Sequence, residues 1–498
     1  MINLTTIVCL EDRCTLANTG TEFMTRGKAM TGSTRREFLR IAAAASLAAT
    51  RPSLLWPRQT TGKVRAWSTS AGRKYAAITP TPWRTSTGGS ATSVQMDPSK
   101  QYQEFLGFGA AFTDASCFLF SQLPGEARRA LYSELFGETG LRLSVGRTCI
   151  GSSDYSLTAY NFDESLEPDP DLTKFNIDHD RGYILPVLRA AREMNPEMFL
   201  FSTPWSPPGW MKANGSMYGG SMRKKYLASY ADYFVRFLRA YAFEGVKINA
   251  VTVQNEVDTD QDGRMPAALW GQEYEMEFVG KHLGPALERT ALDTKIWILD
   301  HNYNLVGRVI DELNDPAVNK YTDGIAWHGY MGSPDVMTRV HDLFPTKSAF
   351  WTEGGPDITS PDYATDWVKW SQKFTEILRN WARCIVGWNF LLDEKGSPNI
   401  GPFPCGGLLT LDSKTQTLTR SGQYWAMSHY SKLVRRGARV IASQGDVNNV
   451  DHVAFQNPDG SFVLVLTNRG EQQGVQCQIA GQEFDVALDS GSITTLAW

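Results

Sequence analysis

The chain has 498 residues, 42% hydrophobic and 20% charged, with a formal net charge of −4, a composition that excludes a disordered or fibrous protein and a small disulfide scaffold. Lys and Arg total 49 against 53 Asp and Glu with no basic run, so the surface that displaces counterions from a nucleic acid is absent. The length exceeds what one hydrophobic core holds and predicts a large domain with a smaller partner.

In chain order, residues 1–29 carry no pattern. Thr34-Arg35-Arg36-Glu37-Phe38-Leu39-Arg40 then precedes a short apolar run, Ile41 to Ala49, followed by Arg51 and Pro52. This reads as a twin-arginine export signal within a leader spanning 1–55, which implies a periplasmic or extracellular protein; a basic amphipathic surface helix is the alternative. The run is too short for a spanning helix of about 20 residues, and stable membrane insertion is not expected. Beyond the leader stand Cys117, Cys149, Cys384, Cys405 and Cys477, widely spaced and without a C-x-x-C pair, as expected of buried apolar fillers.

Residues 56–100 hold short strand candidates at Lys74–Ile78 and Thr92–Met96 around a loop at Thr79–Ser93, and are expected to join a β-sandwich. From 101 to 425, strand-like runs alternate with amphipathic helices. The strand candidates are Phe105–Phe112, Leu141–Arg147, Met198–Pro204, Asn249–Asn255, Lys295–Asp300, Gly324–His328, Ser348–Glu353 and Cys384–Phe390. Leu227, Tyr230, Phe234, Phe237, Leu238 and Tyr241 form one apolar helical stripe. Eight such repeats predict an α/β fold, a (β/α)8 TIM barrel. After about Ala426 the period changes to short strands at His452–Phe455, Ser461–Asn468, Val475–Ile479, Phe484–Leu488 and Ser492–Trp498, so 426–498 reads as an accessory antiparallel β-sandwich domain, expected to be structural.

A barrel of this type carries its chemistry at the C-terminal ends of its strands. Glu256 follows the fourth strand in Val253-Gln254-Asn255-Glu256, and Glu353 closes the seventh in Phe350-Trp351-Thr352-Glu353-Gly354-Gly355. Retaining cleavage of a glycosidic bond needs two carboxyl groups about 5–5.5 Å apart, one protonating the departing oxygen and one attacking the anomeric carbon. Carboxyls on strands four and seven can converge on one bound group. Two unrelated surface acids are the alternative.

Gly107-Phe108-Gly109-Ala110, Trp205-Ser206-Pro207-Pro208-Gly209-Trp210-Met211-Lys212, Gln254-Asn255-Glu256, Thr352-Glu353-Gly354-Gly355 and Trp388-Asn389 together resemble glycoside hydrolase family 30, the glucosylceramidase-like retaining β-glycosidases. The likeness runs from about residue 100 to the C-terminus. It implies a barrel with a side β-sandwich, Glu256 as general acid/base and Glu353 as nucleophile. It also implies that Asn255 binds the sugar 2-hydroxyl, that Arg147 stands near the nucleophile and that Asp154 holds outer hydroxyls. Trp205 and Trp388 would border the sugar, His328 and Tyr330 would surround the nucleophile, and Asn399 would be a hydroxyl ligand. The chain departs from the pattern at Val257, where proline is common, and in the acidic run Asp258-Thr259-Asp260-Gln261-Asp262. The loop Gly396 to Cys405 either lines the mouth and sets specificity or is a crossover to the β-domain.

No phosphate-cradling glycine motif and no Gly-x-Ser-x-Gly elbow occurs. The seven histidines are scattered without ligand spacing, so no metal or organic cofactor is expected, with Asp114 and Asp300 the remaining candidate cation ligands. The expected partner is a carbohydrate, most simply a β-glucoside of glucosylceramide type or β-1,6-glucan. The alternative is an endo-acting or non-catalytic glycan-binding barrel directed at xylan, galactan or fucosides.

Overall fold

The computed structural model describes residues 62–88 and 93–498, together with the backbone of Ile7–Leu10 and Arg13–Leu16. Those two strands pair antiparallel within a first unit, Met1–Arg58. The twin-arginine stretch and its apolar run lie outside the described residues.

In the second unit, eight parallel strands close into a barrel: Gly107–Phe112, Val145–Cys149, Phe199–Thr203, Ala250–Thr252, Lys295–Asn302, Thr322–His328, Ser348–Glu353 and Ala382–Gly387. Closure joins the eighth strand to the first, with Cys384 opposite Gly107. The backbones of the first two strands approach so closely that a Cβ on Gly109 would lie 1.6 Å from the Val145 carbonyl oxygen, which explains a glycine there. Phe201, Trp297, Ala326, Phe350 and Val386 fill the barrel interior, with Trp297 stacked on Phe350 at 3.8 Å. The predicted stripe on helix Leu227–Phe243 is buried throughout.

The β-sandwich is built from one long hydrogen-bonded ribbon of ten strands closed over an apolar core that includes Val94, Met96, Leu464, Leu466, Val475, Phe484 and Leu496. Strand Ser93–Glu104 runs through its centre, antiparallel to Arg439–Gln444 and parallel to Gln473–Ile479. Strand Arg65–Ser70 pairs with the C-terminal strand Ser492–Ala497 and with Arg73–Ile78.

Three details differ from the sequence reading. Residues 101–104 continue a sandwich strand instead of opening the barrel. The segment Thr79–Ser93 contains a two-residue strand, Arg84–Thr85, pinned by Arg84 to Glu483 and Asp485. The change of period placed near Ala426 falls inside helix Gly422–Ser431, which is buried on nearly every face and so shows no amphipathic stripe.

Candidate active site

The strand ends converge on a buried arginine. Arg147, from the second strand, is fully buried, and its guanidinium donates to Glu353 Oε2, to Asn255 Oδ1 (2.8 Å) and to Asp300 Oδ2 (2.8 Å). Above it, Trp205 and Trp388 stack on each other at 5.1 Å, their rings 4.7 and 5.5 Å from the guanidinium carbon.

Asp300 anchors this floor. Its Oδ2 also accepts from the Thr203 and Thr252 hydroxyls (2.9 and 2.8 Å), while Oδ1 accepts from Thr352 (2.8 Å) and pairs with His328 Nε2 (3.0 Å). Burial pushes its carboxyl up, but the Arg147 charge and the His328 bond outweigh that and hold it well below the usual carboxylate range. It reaches this position through a bulge in the fifth strand, where Leu299 and Asp300 take left-handed φ of 73° and 48°. The bulge lets Asp300 and the next residue, His301, both reach the site.

Glu256 also has a left-handed φ, 53°, and its backbone N–H donates to the Asp300 carbonyl (3.0 Å), which fixes where the carboxyl projects. Gln261 donates to Glu256 Oε2 (2.6 Å), and Glu256 Oε1 lies 3.5 Å from His328 Nδ1 and 3.7 Å from His301 Nδ1. Burial raises the Glu256 carboxyl, but the two imidazoles and Arg147 bring it below its ordinary value. Glu353 accepts from Arg147 and from the Tyr330 hydroxyl (2.9 Å), and its Oε2 lies 3.9 Å from His328 Nε2. One imidazole thus spans the gap between the two glutamates. Burial works against a charge on His328, but Glu353, Asp300 and Glu256 raise its value to about 9.

The site opens into a cavity of about 680 Å³. Asp154, Trp205, Asn255, Glu256, Tyr330, Glu353 and Trp388 line it. Burial and the two glutamate charges push the Asp154 carboxyl well above the ordinary range. Phe403, Pro404 and Cys405 of the Gly396–Cys405 loop form part of the mouth, held where Tyr155 donates to the Phe403 carbonyl (2.7 Å).

Residues 105–434 match the model of the glycosyl hydrolase family 30 TIM-barrel domain, and 437–496 match that of the family 30 β-sandwich domain. The chain belongs to glycosyl hydrolase family 30. It is 33% identical over 391 residues to an endo-1,6-β-D-glucanase of Neurospora crassa, covering 75% of this chain and 80% of that protein. A putative glucosylceramidase of Caenorhabditis elegans is 30% identical over 430 residues, covering 80% of this chain and 82% of that protein. Among solved structures, an endo-β1,6-glucanase superposes with a TM-score of 0.81 at 28% identity, covering 88% of this chain and 99% of that one. The protein is therefore an O-glycoside hydrolase acting on β-glycosidic bonds.

Nine of the ten residues singled out in this family 30 sequence gather at one place. Arg147 and His328 lie beneath the cavity and seven line it. Asn399 does not join them: its side chain donates to the Phe403 carbonyl (2.8 Å) and accepts from Gly401 (2.7 Å), bracing its own loop. Asp300 proves to be the partner of Arg147, and Asp114 is taken up by His179, Tyr183 and the Leu157 N–H, so the carboxylate oxygens of both already meet protein donors. His301, Thr203 and Thr252 were not singled out, each being an isolated polar residue near a strand end without a motif of its own; Thr352 and Gln261 entered only as members of the Thr352–Gly355 motif and of the acidic run after Glu256, without a role. Among the described residues the five cysteines Cys117, Cys149, Cys384, Cys405 and Cys477 are free thiols, four of them buried.

Proposed function

We propose that this enzyme hydrolyses β-1,6-linked glucan with retention, by double displacement. Glu353 attacks the anomeric carbon while Glu256 protonates the departing oxygen. Glu256 then takes a proton from the water that releases the glycosyl group from Glu353. The observation that carries this reading is the facing of the two glutamates across His328, with Arg147 and Tyr330 both donating to Glu353. Both glutamates meet donors; Glu256, whose own carboxyl is held below its ordinary value, stands 3.5 Å from the His328 imidazole, whose value is raised to about 9, and that imidazole is the proton source on which its acid step depends. On this reading Asn255, held by Arg147, binds the 2-hydroxyl, Asp154 the outer hydroxyls, and the two tryptophans the sugar faces.

A glycan leaving group is supported by the polar rim beside Glu256, formed by Asp258, Thr259, Gln261, Asn302 and Asn304, and by a cavity larger than one hexose needs. Exposed apolar side chains of the mouth support a second reading, a glucosylceramide-like lipid, because Tyr330, Met331 and Phe403 are 45%, 60% and 38% exposed there. Among the described residues no helix is long and apolar enough to cross a membrane. Residues 34–52 are read as an export signal, so the proposed site of action is periplasmic or extracellular.

The test is release of reducing ends from linear β-1,6-glucan, beside glucosylceramide in detergent. Glu353→Ala should abolish turnover, and azide should restore cleavage of an aryl β-glucoside with an α-glucosyl azide as product. Hydrolysis of the lipid alone would install the second reading. A β-configured azide from Glu353→Ala would remove Glu353 as nucleophile.

A further inference from the structure

We propose that Glu256, His301 and His328 form a three-ligand site for a borderline divalent cation, with Zn²⁺ as the probe, and that its occupancy silences turnover. The silencing, unlike the binding, rests on the role given to Glu256 above.

One ligand atom from each residue lies within 4.8 Å of the other two. The carboxylate oxygen Glu256 Oε1 stands 3.7 Å from His301 Nδ1 and 3.5 Å from His328 Nδ1. Zinc–nitrogen and zinc–oxygen bonds of about 2.0–2.1 Å in a tetrahedron separate ligand atoms by about 3.4 Å, close to these spacings. Both Nδ1 atoms are buried and have no hydrogen-bond partner, so each imidazole presents an unused nitrogen to the same point. Their other nitrogens are already tied to carboxylates, His301 Nε2 to Asp258 (2.6 Å) and His328 Nε2 to Asp300 (3.0 Å). That is how protein zinc sites fix their histidines: the outer carboxylate orients the ring and makes the inner nitrogen a better ligand. Gln261 occupies only Glu256 Oε2, leaving Oε1 free.

Two imidazoles and a carboxylate suit Zn²⁺ or Cu²⁺ better than Mg²⁺ or Ca²⁺, which prefer oxygen ligands. The fourth position faces the cavity that Glu256 and His301 line, which gives the ion an entry path. A bound ion displaces the proton on His328 to solvent and occupies the carboxylate oxygen that would carry the proton to the leaving group, so a filled site cannot act as an acid. The site escapes sequence motifs because His301 and His328 lie on adjacent strands, the fifth and the sixth, far apart in the chain.

The experiment uses the full chain stripped with chelator. Calorimetry with Zn²⁺ should show one site per chain, and Co²⁺ should give the visible d–d absorption of a tetrahedral complex. Asp258→Asn, which removes only the outer carboxylate, should weaken Zn²⁺ about 10–100-fold. His301→Gln should weaken it at least as much, and turnover of a β-glycoside by the wild type should fall in step with occupancy. Absence of binding heat, or Zn²⁺ affinity that both variants leave within about twofold, would overturn the site. Tight binding with undiminished turnover would overturn the silencing and leave the site standing.

Discussion

Replacing Asp300 with asparagine tests whether the floor of the site is held electrostatically. The carboxylate is fully buried and answers five donors: Arg147, Thr203, Thr252, Thr352 and His328. Asparagine keeps the shape but removes the charge facing Arg147 and turns an N–H₂ toward groups that themselves donate. Breaking a buried ion pair from one side costs about 3–5 kcal/mol, and here Arg147 keeps Glu353 as its one remaining carboxylate partner while His328 loses the Asp300 charge. Unfolding entropy of about 2.1 cal/mol/K per residue over about 430 described residues makes 1 kcal/mol worth roughly 1 °C, so Tm should fall by about 3–6 °C. Asp300 does not touch the reacting atoms. It positions Arg147 and His328, and a displacement of about 1 Å there should lower kcat about 100-fold while KM changes far less. Scanning calorimetry and steady-state hydrolysis of an aryl β-glucoside measure both, with the exposed Asp311→Asn as control. A variant within about 1 °C and twofold of wild type would show that the hydrogen-bonding threonines, and not the charge, hold the arginine.

Glu256→Ala should slow substrates with poor leaving groups by about 10²–10⁴ while sparing the first step for activated aryl glycosides, which burst kinetics would separate; equal losses on both would contradict its acid role. Stability should also depend on pH through His429. Burial between Thr69 and Thr495 pushes this imidazole down to about 3, so below its ordinary value of 6.5 the unfolded chain takes up a proton that the folded chain refuses. Its contribution to stability is complete above 6.5 and is lost as pH falls toward 3, by about 1.4 kcal/mol per pH unit. His429→Gln should therefore show a shallower fall of Tm between pH 6 and 4, measured by circular dichroism; parallel curves would refute the assignment.

The barrel was legible because each strand is a compact apolar run followed by an amphipathic helix, and all eight strand candidates overlap a barrel strand. The ends of those strands were less legible. The second strand starts at Val145 instead of Leu141, and the fourth stops at Thr252 so that the chain can turn toward Glu256. Glu256 and Glu353 were visible because a carboxyl after a barrel strand is informative by position alone. Asp300 was seen only as a possible cation ligand and His301 not at all, because a bulge with left-handed residues decides where they point. Leucine and aspartate at those positions carry no glycine signal to announce it. Asn399 was named for its residue type and loop alone, and the structure shows its side chain bonded within that loop.

The sandwich has a kinetic consequence. Strand Arg65–Ser70 finds one neighbour at once in Arg73–Ile78, but its other edge waits for the last strand, where Thr69 pairs with Ile493. More than 400 residues separate the two, so at about 5–20 residues per second the ribosome delivers the partner roughly 20–80 s later. During that time the whole barrel can fold while an early hairpin keeps an open edge, the kind of edge that recruits strands from other chains. Overexpression should load its failures onto this hairpin, and slower synthesis at lower temperature should relieve them only insofar as chaperones hold that edge until the C-terminus arrives.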